Sequence, residues 1–349
     1  MRLPVPVQIN LDDDVMLSPE FINRLWYSDH PLVYLLLPFS WIYKIFMILR
    51  RIGYAAGLLP VKRVSVPVII VGNITVGGTG KTPLVIWLAG FLRDNGYRPA
   101  IISRGYRGTA SNWPQQVRPD SDPFMVGDEP VVIARQTHCP VAASPNRYAA
   151  AVQLLQHTDA NILICDDGLQ HHSLERDLEI AVVDSLRRFG NGKCLPAGPL
   201  RESLRRLNTV DMIVSSGTAA RGEFPMEYVP DRLFSVNGKI PSQSPTAWKG
   251  KTVHAVAGIG HPEKFFNMLR SLDIDVIRHE FPDHHRFESV DIHFEDELPV
   301  IMTEKDAVKC ASFADSRHWY LTINVIMSNV FEHRLLTLLR ERIDGQKAA

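Results

Sequence analysis

The string Gly77-Gly78-Thr79-Gly80-Lys81-Thr82 constrains this chain more than any other feature. It follows the apolar run Val66-Pro67-Val68-Ile69-Ile70-Val71 and precedes a helical stretch from Pro83 to Asn95. A glycine-rich turn between a buried strand and a helix lets backbone N–H groups converge on phosphate oxygens, helped by the helix N-terminus. In that arrangement Lys81 reaches the β- and γ-phosphates and the Thr82 hydroxyl holds Mg²⁺. Pro83 stands where a helix tolerates a missing N–H. The full form of the pattern has glycine six residues before the lysine, where this chain has Thr75. The expected cradle is Thr75, Val76, Gly77, Gly78, Thr79, Gly80, Lys81 and Thr82. Alone, it implies ATP or GTP chemistry.

Such a loop needs a parallel sheet behind it, and the downstream pattern supplies one. Short apolar runs at 99–102, 141–143, 161–165, 178–183 and 210–214 alternate with helical stretches at 129–137 and 146–157. Strand and helix in alternation mean a doubly wound, mostly parallel α/β sheet. Residues 216–249 are rich in Gly, Pro and Ser and read as a hinge, after which a second, smaller alternating set begins at Val253. The expected organisation is a leader over 1–20, a membrane-associated helical segment over 21–64, a phosphate-loop core over 65–216, a hinge over 217–249 and a C-terminal α/β lobe over 250–349.

Asp166-Asp167 closes the apolar run Asn161–Cys165. Carboxylates at the carboxyl end of such a strand lie where this fold holds its ligands, beside a Mg²⁺ on Thr82. A turn or cap aspartate before Gly168 is the plainer alternative. Either Asp166 or Asp167 could meet the metal.

Composition narrows the partners. Lys+Arg and Asp+Glu are both 38, so no global field draws the chain to nucleic acid. The four cysteines are scattered without a CxxC pair, which speaks against a disulfide scaffold or zinc ribbon. Residues 31–49 are the oddity: a run rich in Leu, Trp and Tyr, interrupted by Pro38 and Lys44 and followed by Arg50, Arg51, Lys62 and Arg63. A spanning helix wants about 20 apolar residues without a central charge. An interfacial helix facing anionic headgroups fits better. A helix packed on the protein's own core and a single span are the alternatives.

Two branches of nucleotide enzymes are disfavoured. Thr303-Glu304-Lys305-Asp306 lacks the spacing of a guanine-reading motif, and Val76 stands where partition-type ATPases carry lysine. A further group of strings occurs in order: Gly72-Asn73-Ile74-Thr75 through Pro83, Ser103-Arg104-Gly105-Tyr106, Gly127-Asp128-Glu129-Pro130, Asp166-Asp167-Gly168-Leu169-Gln170-His171, Leu195 through Glu202, and Thr303 through Lys309. Together they resemble the tetraacyldisaccharide 4'-kinase family, from about Trp26 to the last helix. In that family the loop itself lacks the glycine that Thr75 replaces.

The resemblance implies ATP- and Mg²⁺-dependent phosphorylation of the 4'-hydroxyl of a tetraacylated glucosamine disaccharide 1-phosphate, giving lipid IVA at the cytoplasmic face of an inner membrane. It implies an acylated glucosamine disaccharide and the lipid surface as partners, with no nucleic acid and no obligate protein partner. It makes Asp128 the base, where composition alone favours a helix cap, and pairs it with His284 rather than His285. Arg201 neutralises the transferring phosphoryl group, and Arg104, Tyr106 and His171 contact substrate. Lys305 and Asp306 belong to the family string but receive no role beyond capping and ion pairing. A zinc site from His171, His172, His284 and His285 lacks ligand spacing. The rival from another class is a membrane-associated P-loop switch or metallochaperone, in which hydrolysis drives a conformational cycle.

Overall fold

The structure, a computed structural model, describes residues 19–347. The leader expected over 1–20 therefore lies outside it, apart from the two residues that begin the first helix. At the centre is β1 (Val68–Gly72), five buried residues. An unbroken apolar, β-branched strand is what coverage on both faces requires. Gly72 ends it because a Cβ there would come within 2.7 Å of the Leu169 side chain.

The chain continues through α3 (Lys81–Asp94), β2 (Pro99–Ser103), β3 (Gln115–Val117), α4 (Pro123–Val126), α5 (Asp128–Thr137), β4 (Val141–Ala143), α6 (Arg147–His157), β5 (Ile162–Asp166), β6 (Leu178–Asp184) and β7 (Met212–Ser216). Strands β7-β6-β1-β5-β2-β4 are all parallel, and β3 closes that edge antiparallel to β4. Leu84, Leu88, Val131 and Ile133 pack α3 and α5 on one face. Ala150, Ala151 and Leu154 pack α6 on the other.

The expected hinge does not interrupt the sheet. Residues 217–249 contain β8 (Phe224–Ser235), parallel to β7 at its start and antiparallel to β12 (His318–Met327) along most of its length. Pro225, Pro230 and the charges Glu227, Asp231 and Arg232 hide that strand from a search for apolar runs. Beyond it lie β9 (Thr252–Ala257), α7 (Pro262–Ser271), β10 (Asp275–Glu280), α8 (Ser289–Ile292), β11 (Val300–Thr303) and α9 (Glu304–Cys310), and α10 (Asn329–Lys347) ends the chain. The order β10-β9-β11-β12-β8 joins β7, so one twelve-stranded sheet runs through both α/β halves. α10 returns to the first half, with Phe331, Leu335 and Leu339 in the same core cluster as α3.

Before the sheet come α1 (Pro19–Tyr27) and α2 (Leu32–Ala55). α2 continues through Pro38 and Lys44 for 24 residues and is long and apolar enough to cross a membrane, yet only 11% of its most apolar window is buried. Tyr34, Leu35, Phe39, Trp41, Ile42, Ile45, Phe46 and Leu49 are all exposed. That surface is not a helix packed into the protein's own core. The seam facing the protein packs Val33, Leu36 and Leu37 with Leu25 and Ala197 and then turns polar: Ser40 Oγ donates to the Cys194 carbonyl (2.8 Å), Tyr43 Oη to the Arg201 carbonyl (3.0 Å) and Arg50 Nη1 to the Gln170 carbonyl (3.1 Å). The spacing 40, 43, 47, 50, 54 keeps these positions on one helical face.

Candidate active site

The phosphate loop leaves β1 at the carboxyl edge of the sheet. Its first part is not free to cradle a ligand. The Val76 N–H is given to the Pro199 carbonyl (2.8 Å), and the Ile74 carbonyl accepts from Arg201 N (2.7 Å). Thr75 bridges antiparallel to Leu200 and is buried. Thr75 and Val76 thus pair with residues 199–201, which anchors the start of the expected cradle. The pairing needs no positive φ at 75, so glycine is not required there. The lining of the cleft begins at Gly78 and includes Thr79, Gly80, Lys81 and Thr82. Gly80 has φ +92, and a Cβ there would collide with the Tyr228 hydroxyl of β8.

Lys81 opens α3. Its Nζ donates to Asn73 Oδ1 (3.3 Å) and lies 3.5 Å from Asp167 Oδ1. Arg201 Nη1 reaches both oxygens of Asp167 (3.0 and 3.1 Å) and Gln170 Oε1 (3.4 Å). Gln170 Nε2 in turn donates to the Asn73 carbonyl (3.0 Å) and Glu202 Oε1 (2.9 Å). The end of β5, the phosphate loop and the Arg201 segment are therefore one hydrogen-bonded unit, and α2 touches it through Arg50.

The two adjacent aspartates have opposite electrostatic fates. Burial would raise the Asp167 carboxyl, but Lys81 and Arg201 outweigh it and hold Asp167 well below the usual carboxylate range. Asp166 is fully buried, and burial with the charges of Glu129 and Asp167 pushes it up to about 7 against Lys81 and Arg147. Its Oδ2 accepts from Ser103 Oγ at 3.5 Å, while Oδ1 has no partner. Arg147, itself buried, caps the turn through the carbonyls of Ser144, Asp166 and Asp167. Asp167 sits at φ +50, which costs a non-glycine residue on the order of 1 kcal/mol.

Across the cleft, Asp128 is the first residue of α5. Gly127 precedes it at φ +95, with the Tyr106 carbonyl 3.0 Å from where a Cβ would stand. Asp128 Oδ1 accepts the Glu129 N–H (2.8 Å), so a local backbone contact is present. It is not the whole of its role. His284 Nδ1 lies 2.9 and 3.1 Å from the two Asp128 oxygens. Lys305 Nζ lies 3.2 Å from His284 Nε2, 3.0 Å from Asp283 Oδ1 and 3.3 Å from Glu129 Oε1. Lysine only donates, so it assigns the lone pair to Nε2 and the proton to Nδ1, which donates to Asp128. Burial would raise Asp128, but the His284 hydrogen bond, Lys305 and Lys309 bring it down to about 2. Lys305 is raised in turn, because Glu129, Asp128 and Asp283 overcome its burial.

A cavity of about 260 Å³ is lined by the phosphate loop, Ile86, Glu129, Tyr228, Phe265, Met268, Glu304, Lys305 and Ile323. Lys81 of the first cluster and Lys305 of the second both reach it. Gly260 packs 3.1 Å from the Gly78 N–H when given a Cβ, so the C-terminal half closes directly over the loop. Lys264 of α7 reaches Asp184 Oδ2 at the end of β6 (2.5 Å), a second tie between the halves.

The fold brings the expected residues to one edge of the sheet. Tyr106 packs tilted against His284 with ring centroids 5.0 Å apart, and the Arg104 guanidinium lies 5.6 Å from the Tyr106 ring. His171 is held neutral, pushed down to about 3 by burial and by Arg147 and Arg104. His285 turns away to Asp291 (3.1 Å). Sequence reasoning passed over Asn73, Ser103, Arg147 and Gln170, and gave Lys305 no place in the chemistry. Asn73, Ser103, Gln170 and Lys305 stood inside the quoted strings, but only their spatial partners show what they do.

With this geometry in hand, the comparisons are direct. Residues 32–340 match the family described as tetraacyldisaccharide-1-P 4'-kinase. The chain is 50% identical over 321 residues to the tetraacyldisaccharide 4'-kinase of Nitrosococcus oceani, covering 92% of this chain and 94% of that one. It is 44% identical over 326 residues to that of Coxiella burnetii, covering 93% and 97%. Among solved structures it resembles LpxK from Aquifex aeolicus in complex with ATP, with a TM-score of 0.75, 30% identity, and 88% of this chain and 99% of that one covered. The chain belongs to the tetraacyldisaccharide-1-P 4'-kinase family.

Proposed function

We propose that this enzyme transfers the γ-phosphoryl group of ATP to the 4'-hydroxyl of tetraacyldisaccharide 1-phosphate, forming lipid IVA. The observation that carries the reading is that Lys81, tied to Arg201 through Asp167, and Lys305, tied to the Asp128–His284 pair, line one cavity. Phosphoryl transfer requires both: positive charge where the transferring group sits, and an acceptor for the hydroxyl proton on the other side. A hydrolytic switch or metallochaperone needs no alcohol acceptor site and is not favoured.

Lys81 and Arg201 are preorganised by Asp167, so their charges are in place before the phosphates arrive. Asp128, at about 2, is a weak base. In a loose transition state the proton leaves the hydroxyl late, so Asp128 first orients the oxygen and takes the proton only as the bond to phosphorus forms. His284 fixes the carboxylate through Nδ1–H, and Lys305 fixes His284. We assign substrate contacts to Arg104, Tyr106 and His171, of which Tyr106 packs against His284 and Arg104 against Tyr106.

The residues present fit a divalent cation. The Asp166 Oδ1 is buried and unpartnered, and the carboxyl's raised position is what a site built for a cation shows without one. Thr82 and Asp166 would hold Mg²⁺, whereas Asp167 is committed to Lys81 and Arg201. When bound, Mg²⁺ neutralises charge on the nucleotide phosphates.

The exposed face of α2 supports attachment to a lipid surface on the side where the acceptor enters, and we place the enzyme at the cytoplasmic face of the inner membrane. Transfer of labelled γ-phosphate to the disaccharide lipid in detergent micelles tests the reading. Release of label only to water, whatever lipid is offered, would overturn it.

A further inference from the structure

At the opposite edge of the C-terminal half, where the parallel strands start rather than end, two histidines and an aspartate converge. His318 is the first residue of β12, beside Val300, the first of β11, and is 0% exposed. Its Nδ1 lies 2.8 Å from Asp315 Oδ1. His293, which follows α8, has Nε2 3.6 Å from Asp315 Oδ2. The three ligand atoms all lie within 4.8 Å of one another.

We propose that His293, Asp315 and His318 bind one Zn²⁺, a site separate from the kinase cleft. Second partners of the two imidazoles carry the case. His318 Nε2 lies 2.9 Å from the Ile292 carbonyl, and His293 Nδ1 lies 2.8 Å from the Ser289 carbonyl and 3.1 Å from Ser289 Oγ. A carbonyl only accepts, so both far nitrogens carry protons, and in the neutral imidazoles both near nitrogens then present lone pairs toward the carboxylate. That is how metal-binding histidines are oriented, and here one short helix, α8, orients both. Tetrahedral Zn²⁺ with bonds of about 2.0–2.1 Å needs ligand atoms roughly 3.4 Å apart, against 2.8 Å for His318 Nδ1–Asp315 Oδ1 and 3.6 Å for His293 Nε2–Asp315 Oδ2, so a rotation of the Asp315 carboxylate is needed to seat the ion.

Three contacts compete. The Asp315 N–H points to His318 Nδ1 (3.0 Å), the Arg317 N–H to Asp315 Oδ1 (2.8 Å), and the Arg317 guanidinium lies 3.4 Å from Asp315 Oδ2. Arg317 also donates to the Asp296 carbonyl (2.6 Å) and lies 3.6 Å from Glu297, so it keeps partners when the carboxylate turns to the cation. Three protein ligands leave a fourth position for water. Such an ion would tie the start of β12 to the end of α8 and act as a staple, not a catalyst.

The full chain in detergent, stripped with chelator and dialysed, would be titrated with ZnCl₂ by calorimetry and metal analysis, and with Co²⁺ by visible absorption. One equivalent of Zn²⁺ and a tetrahedral Co²⁺ band are expected, both lost in His293→Gln, which changes a half-exposed side chain and leaves kinase activity as in the parent. Asp315→Asn should weaken binding at least tenfold. No zinc in the parent would overturn the proposal. So would full stoichiometry in His293→Gln, or loss in His279→Ala instead, which would assign the ion to the neighbouring His254–His279–Asp296 chain.

Discussion

The two walls of the cleft are built by different logics. The wall bearing Lys81, Asp167 and Arg201 lies within the first half of the chain, on consecutive loops at the ends of β1 and β5 and the 195–201 segment that pairs with the phosphate loop. The wall bearing Asp128, His284 and Lys305 has no local plan: α5 supplies the carboxylate, while the histidine and the lysine arrive from residues 156 and 177 positions later in the chain. The first wall rests on a motif and on contacts within that stretch of chain. The second exists only because β8 and β12 fuse both halves into one sheet. The phosphate-loop cluster is therefore built locally, although Tyr228, Phe265 and Lys305 also line its cavity, whereas the Asp128–His284–Lys305 cluster depends on global assembly.

The largest effect that would sharpen this contrast is expected at Lys81. Lys81→Ala removes the charge aimed at the phosphates and leaves Asp167 paired with Arg201 alone. Loss of one preorganised donor lowers kcat by about 10²–10³-fold, with lipid transfer and any water-directed ATP hydrolysis falling together. Residual lipid transfer within a factor of about three of the parent would break the assignment of this wall to the phosphates.

Next comes the assembled wall. Asp128→Asn should lower kcat for the lipid by about 10²–10⁴-fold, the range for a positioned proton acceptor, with the KM for ATP little changed. If Asp128 and His284 act as one unit, His284→Ala should cost nearly as much, and the double variant no more than the worse single one. Additive losses would separate them. ATP binding, measured by calorimetry, should survive all three variants, in contrast with Lys81→Ala.

Lys305→Met should act through its neighbours and cost about tenfold in kcat/KM, within the span of a charge-assisted hydrogen bond. Its clearest mark is the pH profile. Asp128 is depressed partly by the Lys305 charge, so its ionised form persists down to about 2. Without Lys305 the Asp128 carboxyl rises, and the acid limb attributable to it moves to higher pH. Lys305→Arg restores a cation and should move the limb back. An unmoved limb in Lys305→Met, with activity lost all the same, would make Lys305 a packing residue only. A second limb is expected from Asp166, whose carboxyl burial pushes up to about 7, and added Mg²⁺ should shift it to lower pH, because the cation competes with the proton.

How much of this was legible follows the same division. The strand–loop–helix at β1 was readable because a fully buried strand is an unbroken apolar run and the loop's glycines have a backbone reason to be there. Asp166-Asp167 was readable as a pair, but not which would be free. That depended on Lys81 and Arg201 reaching Asp167 in space. The pairing of Thr75 was not readable because its partner, Leu200, is far along the chain. β8 was missed for a different reason: a strand that bridges two halves carries prolines and charges at its exposed positions, so period-2 burial was masked by composition. Lys305 looked like a first-turn helix residue until His284 and Glu129 came within its reach. Resemblance to a family named Asp128 and His284, but only the three-dimensional contacts explain why Asp128 stays anionic.

The smallest effect is expected where α2 meets the local wall. Tyr43 Oη donates to the Arg201 carbonyl, so the helix that exposes Trp41, Phe39 and Phe46 holds the backbone of a phosphate-pole residue. One hydrogen bond is worth about 0.5–1.5 kcal/mol, so Tyr43→Phe should change kcat/KM by no more than several-fold. That loss should appear for the lipid in vesicles or micelles and leave ATP affinity untouched. Because Ser40 and Arg50 hold the same seam, Tyr43→Phe combined with Ser40→Ala should cost more than either change alone. If instead the pair left lipid transfer unchanged, α2 would serve only to attach the enzyme to its surface. The local wall would then owe nothing to the membrane side, and the contrast between the two walls would be complete.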